Sequence, residues 1–260
     1  EENDYLARYE AMKETVNRVA WDGEWYARAT MDDGRFLGVK REPMAKIWLN
    51  AQTWAVLSGM APAQRAHQAM DSVRRYLNTP LGIKKIDPAM ADYPTPEDPL
   101  TYYNKGCGEN GSVFCHANAW AVIAECLLGR GERAWEYYSQ LLPMNAQAKA
   151  GEWRYKAEPY VYSSNIFGPE SDKFGLANVS WLTGTAAWMY VAFTQYLLGV
   201  KPVWGGLSIE PCLPPQWESI EITRIFRGCR YHIRVKNGEK LFIPHEEGRT
   251  HYERTDDTTI

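Results

Sequence analysis

Cys107-Gly-Glu-Asn-Gly-Ser-Val-Phe-Cys-His-Ala-Asn-Ala-Trp120 decides how this chain is read. It sets an acid, an amide, two glycines and a histidine immediately before a long apolar run. Glycine lets the backbone approach a ligand closely. Glu109 and Asn110 are suited to sugar hydroxyls, and His116 can donate to an anion. Downstream, Ser180-Trp-Leu-Thr-Gly-Thr-Ala-Ala-Trp188 repeats the arrangement, with Thr183 and Gly184 at the mouth of another apolar helix. Two polar, glycine-bearing loops that each feed a hydrophobic helix point to one pocket at the ends of a helical barrel.

Residues 4–19 carry Tyr5, Leu6, Tyr9, Met12, Val16 and Val19 at helical spacing. Trp25, Ala27 and Ala29 alternate with Tyr26 and Arg28 as in a short strand, and Asp32-Asp33-Gly34 turns the chain back. Residues 47–60 read as an apolar helix. Pro62 opens the next one, which aligns Ala66, Met70, Val73 and Leu77 on one face and closes on Arg74 and Arg75. Prolines at 80, 88, 94, 96 and 99 keep 80–111 free of helix, and a loop of this length in a compact domain tends to serve function. Residues 115–129 and 132–142 predict a helical hairpin. Residues 151–179 read as a second long loop. Residues 181–199 read as a nearly all-apolar helix, buried on most sides. Beyond Gly199 the grammar changes, and alternation over 219–236 about Arg227-Gly228 predicts a β-hairpin.

The division expected is a mainly α region over 1–200, a β-rich region over 201–240, and a polar tail over 241–260. Paired helices joined by long loops on one side fit an α/α toroid. The helices visible make about half of one, since packed layers must cover both of its ends. That arithmetic, and a first residue that is Glu1, lead us to expect a piece of a longer protein.

Of the 260 residues, 45% are hydrophobic, enough for a sizeable core. A net charge of −3 argues against nucleic acid or an acidic membrane as partner. Eleven tryptophans and 16 tyrosines suit either stacking on sugar faces or an aromatic core. Five cysteines, odd in number and without Cys-x-x-Cys spacing, argue against a disulfide framework or a zinc site and fit a reducing cytoplasm. No stretch reads as a signal peptide or a membrane span.

Five segments together resemble one family. They are Trp21-Asp-Gly-Glu-Trp-Tyr-Ala-Arg-Ala, Glu109-Asn-Gly-Ser-Val-Phe-Cys-His-Ala-Asn, Glu158-Pro-Tyr-Val-Tyr, Ser180-Trp-Leu-Thr-Gly-Thr-Ala and Gly206-Leu-Ser-Ile-Glu-Pro-Cys-Leu-Pro. In this order, from about residue 4 to 236, they are similar to the cellobiose, cellodextrin, cellobionic acid and chitobiose phosphorylases of glycoside hydrolase family 94. The resemblance implies the C-terminal half of an (α/α)6 catalytic barrel with a β appendage. It also implies reversible, inverting phosphorolysis of a β-linked disaccharide to an α-sugar 1-phosphate. An inverting hydrolase needs a second carboxylate to activate water. Phosphate is already an anionic nucleophile, so a phosphorylase needs one acid and a set of donors for the dianion.

By that resemblance His116, Thr183 and Gly184 bind phosphate, although the bare sequence reads His116 equally as a cap or core histidine. The family's acid lies in an Asp-Trp-Asn-Asp type motif that this chain lacks, so the general acid is expected upstream of Glu1. Asp22, between two tryptophans, is the one alternative, and its simpler role is a turn or a helix cap. Tyr103 and Glu109 fall in the loop that lines the acceptor side in relatives. Ser164 stands where cellobiose phosphorylases carry a glutamine, which weakens the case for cellobiose itself. Lys105 would serve an aldonic acid acceptor, or is an exposed loop lysine. Substrates are then a disaccharide and inorganic phosphate, with no cofactor or metal, in a cytoplasmic homodimer. Two other readings stay open: a hydrolase on the same barrel, with Glu109 as the second carboxylate, and a non-catalytic sugar-binding helical module.

Overall fold

The computed structural model describes residues 1–90, 103–245 and 251–253. The expected first helix is α1 (Glu2–Val19). Strand-like alternation over 25–29 is not what forms. Trp25, Tyr26 and Ala27 are buried in succession, and only β1 (Ala29–Thr30) pairs with β2 (Phe36–Leu37) across the Asp32–Gly34 turn. The apolar stretch 47–60 opens as strand β3 (Ile47–Trp48) before it becomes α2 (Leu49–Leu57). Next comes α3 (Ala63–Tyr76), capped by Pro62, and the side chains expected on its inner face are all buried. Three short strands follow: β4 (Asn78–Thr79), β5 (Gly82–Ile83) and β6 (Ile86–Asp87). β6 pairs with β3, so the proline-rich arm folds back under α2. Pro94, Pro96 and Pro99 of the expected loop lie outside the described residues.

The anchor stretch supplies β7 (Val113–Phe114) and then α4 (Cys115–Leu127). α4 is the centre of the helical region. Alanines at 117, 119, 121 and 124 are all fully buried, and their small side chains let α2 and, on other sides, later helices approach it. The hairpin partner is α5 (Gly131–Leu141). α6 (Pro143–Ala150) follows, and where a long loop was expected over 151–179, α7 (Glu152–Tyr155), β8 (Ser163–Ile166) and β9 (Ala177–Ser180) form instead. The all-apolar helix starts late, as α8 (Thr185–Val191), and runs on as a π-helix over Ala192–Leu197. It is not buried on most sides. Thr185, Met189, Ala192 and Leu197 face inward, while Leu182 just before it and Tyr190 on it are exposed. One flank rests on α4, and the opposite flank is open.

Two buried amides hold strand edges to helices. Asn118 on α4 accepts the Ile83 N–H at 2.7 Å and donates to the Ile83 carbonyl at 2.9 Å. Gln52 on α2 does the same for Tyr26, at 2.8 and 2.9 Å. Each behaves like one rung of a sheet supplied by a side chain, which satisfies backbone groups no strand reaches.

The β-rich region holds two sheets. β10 (Val200–Val203), β11 (Gly206–Ile209) and β14 (Leu241–Pro244) form one. The expected hairpin is β12 (Ser219–Phe226) with β13 (Cys229–Lys236), joined by a parallel strand β15 (His251–Glu253). The region expected to be a tail from 241 therefore contains two strands, because Leu241–Pro244 pairs in register with β11. Alternation puts Tyr231, Ile233 and Val235 into a core with Val200, Leu207, Ile209 and Ile243. Among the described residues no helix is long and apolar enough to cross a membrane.

Glu125, at the inner end of α4, is wholly buried. The guanidinium groups of Arg130 and Arg133 stand 3.5 and 3.6 Å away, too far for good hydrogen bonds, and both also engage Asp71 at 2.9 and 2.6 Å. Burial outweighs the two arginines and lifts the carboxyl from 4.5 to about 7. The folded state thus holds a proton that the unfolded state releases above 4.5. The resulting stability is complete below pH 4.5 and is lost as pH rises to about 7. Glu125→Gln is expected to remove that fall, worth up to about 3 kcal/mol at 1.36 kcal/mol per pKa unit. Asp71 still pairs with both arginines in the variant. Urea titrations at pH 5 and pH 8 test this, and an unchanged pH dependence in the variant overturns it.

Candidate active site

Three separated motifs meet in one small sheet. β7 pairs antiparallel with β8, and β8 with β9. Phe114 therefore lies opposite Asn165, and Asn165 opposite Asn178. The histidine motif, the Tyr162–Asn165 motif and the chain that leads into Thr183–Gly184 are cross-linked by backbone hydrogen bonds just before α4 and α8 begin. The two helices then leave side by side and bring their first turns together.

His116 sits in the first turn of α4, half-buried. Its ring lies flat against the backbone of Gly184: a Cβ added there would come within 2.9 Å of Cε1. Trp120 and Trp188 wall the imidazole, with ring centroids at 5.0 and 6.3 Å, and Trp54 extends the row from Trp120 at 5.3 Å. Nε2 is buried and has no hydrogen-bond partner among the described residues. Burial first, and then the ammonium of Lys85, hold the ring's pKa below the usual histidine range. The site thus presents a neutral imidazole with one nitrogen unsatisfied, which is costly unless something binds there. Thr183 Oγ lies 2.6 Å from Thr185 Oγ and accepts the Thr185 N–H at 3.2 Å, so its hydroxyl is oriented by the helix start.

Lys85 escaped the sequence reading. Its side chain is 7% exposed, its ammonium lies 3.0 Å from Glu109 Oε2, and it sits 4.5 Å from the Phe114 ring centroid. Its backbone donates to the Ser112 carbonyl at 2.8 Å and accepts from Leu49 at 2.9 Å. A half-exposed Glu109 is therefore held by a buried cation beside the histidine. The one available signal was a Lys84-Lys85 pair inside an otherwise apolar run, Leu81 to Ile86.

The Asn110 side chain is engaged by its own loop. It is buried, accepts the Met90 N–H at 2.7 Å and donates to the Tyr103 carbonyl at 2.7 Å, so it braces the loop. Tyr103 is 47% exposed, and its ring covers Gly108, whose φ of +53° and missing Cβ make that approach possible. Lys105 is half-buried in the same turn.

Ser164 is committed to the sheet. Its hydroxyl donates to Asn165 Oδ1 and the Asn178 carbonyl, each at 3.1 Å. It does so because its natural strand partner, Val179, leaves the register with φ +53°. Trp181 is also left-handed, at φ +70°, and donates to Glu158 at 3.1 Å. Two such residues just ahead of Thr183 store strain of the kind that clusters at functional loops. Asp22 lies in its own turn. Its N–H donates to the Trp25 carbonyl at 2.9 Å, and its carboxylate accepts the Lys40 N–H at 2.6 Å.

The sheet and the paired helix starts thus gather His116, Thr183, Gly184, Glu109 and Ser164, together with Lys85. Residues 1–199 match the catalytic-domain model of the glycosyl hydrolase 94 superfamily, and 202–249 match the C-terminal-domain model of glycosyl hydrolase family 65. Three relatives are solabiose phosphorylase of Paenibacillus borealis, N,N'-diacetylchitobiose phosphorylase of Vibrio proteolyticus and 3-O-beta-D-glucopyranosyl-beta-D-glucuronide phosphorylase of P. borealis. They are 38, 40 and 34% identical over 87, 92 and 87% of this chain. The chain spans 29 to 30% of the length of each. With a family model covering most of its length, the chain belongs to the glycosyl hydrolase 94 superfamily.

Proposed function

We propose that this chain is the C-terminal part of an inverting glycoside phosphorylase with an (α/α)6 barrel, and that His116, Thr183 and Gly184 bind the attacking phosphate. The observation that carries this is the buried, unpartnered Nε2 of His116, packed against Gly184 and beside the oriented Thr183 hydroxyl. Such a set of uncharged donors is suited to an oxyanion. A phosphate oxygen attacks the anomeric carbon from the face opposite the leaving oxygen. A carboxylic acid outside this chain protonates that oxygen, and an α-sugar 1-phosphate and a free sugar result.

Glu109, fixed by Lys85, faces the acceptor sugar, with Tyr103 and Lys105 on the same loop. Ser164 shapes that side through the sheet rather than by direct contact. The substrate is a β-linked disaccharide, and the complete enzyme is a cytoplasmic homodimer. Phosphate-dependent formation of sugar 1-phosphate from β-linked disaccharides, by the chain extended upstream through the rest of the barrel, tests this reading. Phosphate-independent release of free sugar alone replaces it with the hydrolase.

Gly184→Ala tests the contact on which the site depends. Gly184 has a negative φ, so alanine meets no backbone strain. Its methyl group must instead push the imidazole aside. The expected result is a fall of about 10²-fold in kcat/KM for phosphate, the scale of an ångström-sized misplacement, with little change in Tm. An unchanged kcat/KM shows that the ring does not contact phosphate.

A further inference from the structure

At the junction of the helical and β-rich regions lies a cavity of about 770 Å³, remote from the site above. Cys126, in the last turn of α4, and Cys212, on the segment that follows β11, both line it. They belong to the same apolar cluster, Cys126 buried and Cys212 half-buried. The backbone around them is locked. The Cys212 N–H donates to the Leu197 carbonyl at 3.0 Å, and Asn237 makes two hydrogen bonds of 3.2 Å with Leu213. At Gly131, the first residue of α5, any Cβ would run into the Leu213 carbonyl. The Cys212 segment therefore rests against the start of α5, the helix that follows the one carrying Cys126. We propose that Cys126 and Cys212 are a reactive thiol pair that a hydroperoxide converts to a reversible disulfide, stapling α4 to the β-rich region.

The pair has an unequal chemistry. The interaction between the two thiols pulls Cys212 below the usual thiol range, against the opposing pull of burial and of Glu125, and with burial it holds Cys126 well above it. Arg130, Arg133 and Lys201 stand in the same cavity wall. Glu132 and Glu210 line it too, and a half-exposed thiol with cations in reach is a setting in which cysteines react. The Cys212 sulfur attacks the terminal oxygen of the hydroperoxide. The O–O bond breaks, an alcohol leaves, and Cys212 becomes a sulfenic acid. The Cys126 sulfur, losing its proton, attacks the Cys212 sulfur and expels water. Two thiols and one hydroperoxide thus give one disulfide, one alcohol and one water. Cys115 is placed differently: it faces Ser163, and burial drives its thiol to about 12.

The test uses the 260-residue chain with tert-butyl hydroperoxide. The expected outcome is a mass lower by two hydrogens, five free thiols reduced to three, and a non-reduced digest linking the α4 peptide to the Cys212 peptide, all reversed by dithiothreitol. Cys107→Ser is expected to leave the link intact. Cys126→Ser is expected to leave a sulfenic acid at Cys212 that dimedone traps. Retention of all five thiols in the treated wild-type chain overturns the proposal, as does a cross-link that survives Cys212→Ser. The wild-type peptide map requires no variant to fold and does not depend on phosphorolysis.

Discussion

His116→Ala is expected to lower phosphate-dependent release of sugar 1-phosphate by about 10²–10³-fold, the usual cost of deleting one donor to a developing anion. The assay is the chain extended upstream, with saturating disaccharide and varied phosphate. The imidazole is walled by Trp120, Trp188 and the Gly184 backbone, so alanine leaves an apolar gap in place of Nε2. The free ring is held neutral by burial and by Lys85. Its contribution is therefore a directed hydrogen bond, strengthened if the dianion draws a proton onto the ring. The loss should fall on kcat/KM for phosphate far more than on the KM for disaccharide. His116 is only half-buried, and its removal leaves the Asn118 clasp, two residues along and on the other side of the helix, untouched, so the variant should fold. A variant with the wild-type phosphate dependence assigns His116 to the core and removes the main support for a phosphate site here.

Asn118→Leu is expected to cost about 2–5 kcal/mol of stability, since each stranded buried polar group costs roughly 1–3 kcal/mol. Leucine matches the amide in size but leaves the Ile83 N–H and carbonyl without partners in a fully buried position. Water cannot reach them. A Cβ at Gly82 would lie 2.7 Å from Val113 and 3.0 Å from Asn118 Oδ1, which shows how closely the strand is drawn onto the amide. Against a typical total of about 5–15 kcal/mol, such a loss leaves the chain marginal. Urea denaturation followed by far-UV circular dichroism measures it. A midpoint within error of wild type means that the strand finds other partners and the clasp is incidental.

What was legible in the sequence was local. Periodicity placed α3 because Ala66, Met70, Val73 and Leu77 repeat within one helix, and the β12–β13 hairpin because both strands lie close to their turn. The sheet that assembles the site was not legible. Its strands run to two or four residues, and β7 pairs with β8 from about 50 positions away with no shared pattern. Composition showed that residues 181–199 call for burial, but not that one flank would stay open within this chain. The chemistry of single residues misled in two places. Asn110 and Ser164 carry the right groups for a sugar, yet the fold spends both on its own backbone. Lys85 was passed over for the opposite reason: a lysine in an apolar run looks like surface, and only the fold shows its ammonium buried beside Glu109.

The left-handed Val179 matters beyond the pocket. β9 is an outer strand of the site's sheet, and a straight outer strand offers its free peptide groups as a template for another molecule. A residue at φ +53° breaks the row of donors and acceptors midway. The edge that leads into Thr183 therefore offers neighbouring chains no unbroken row of peptide groups to pair with, so the kink acts as a guard against edge-to-edge aggregation.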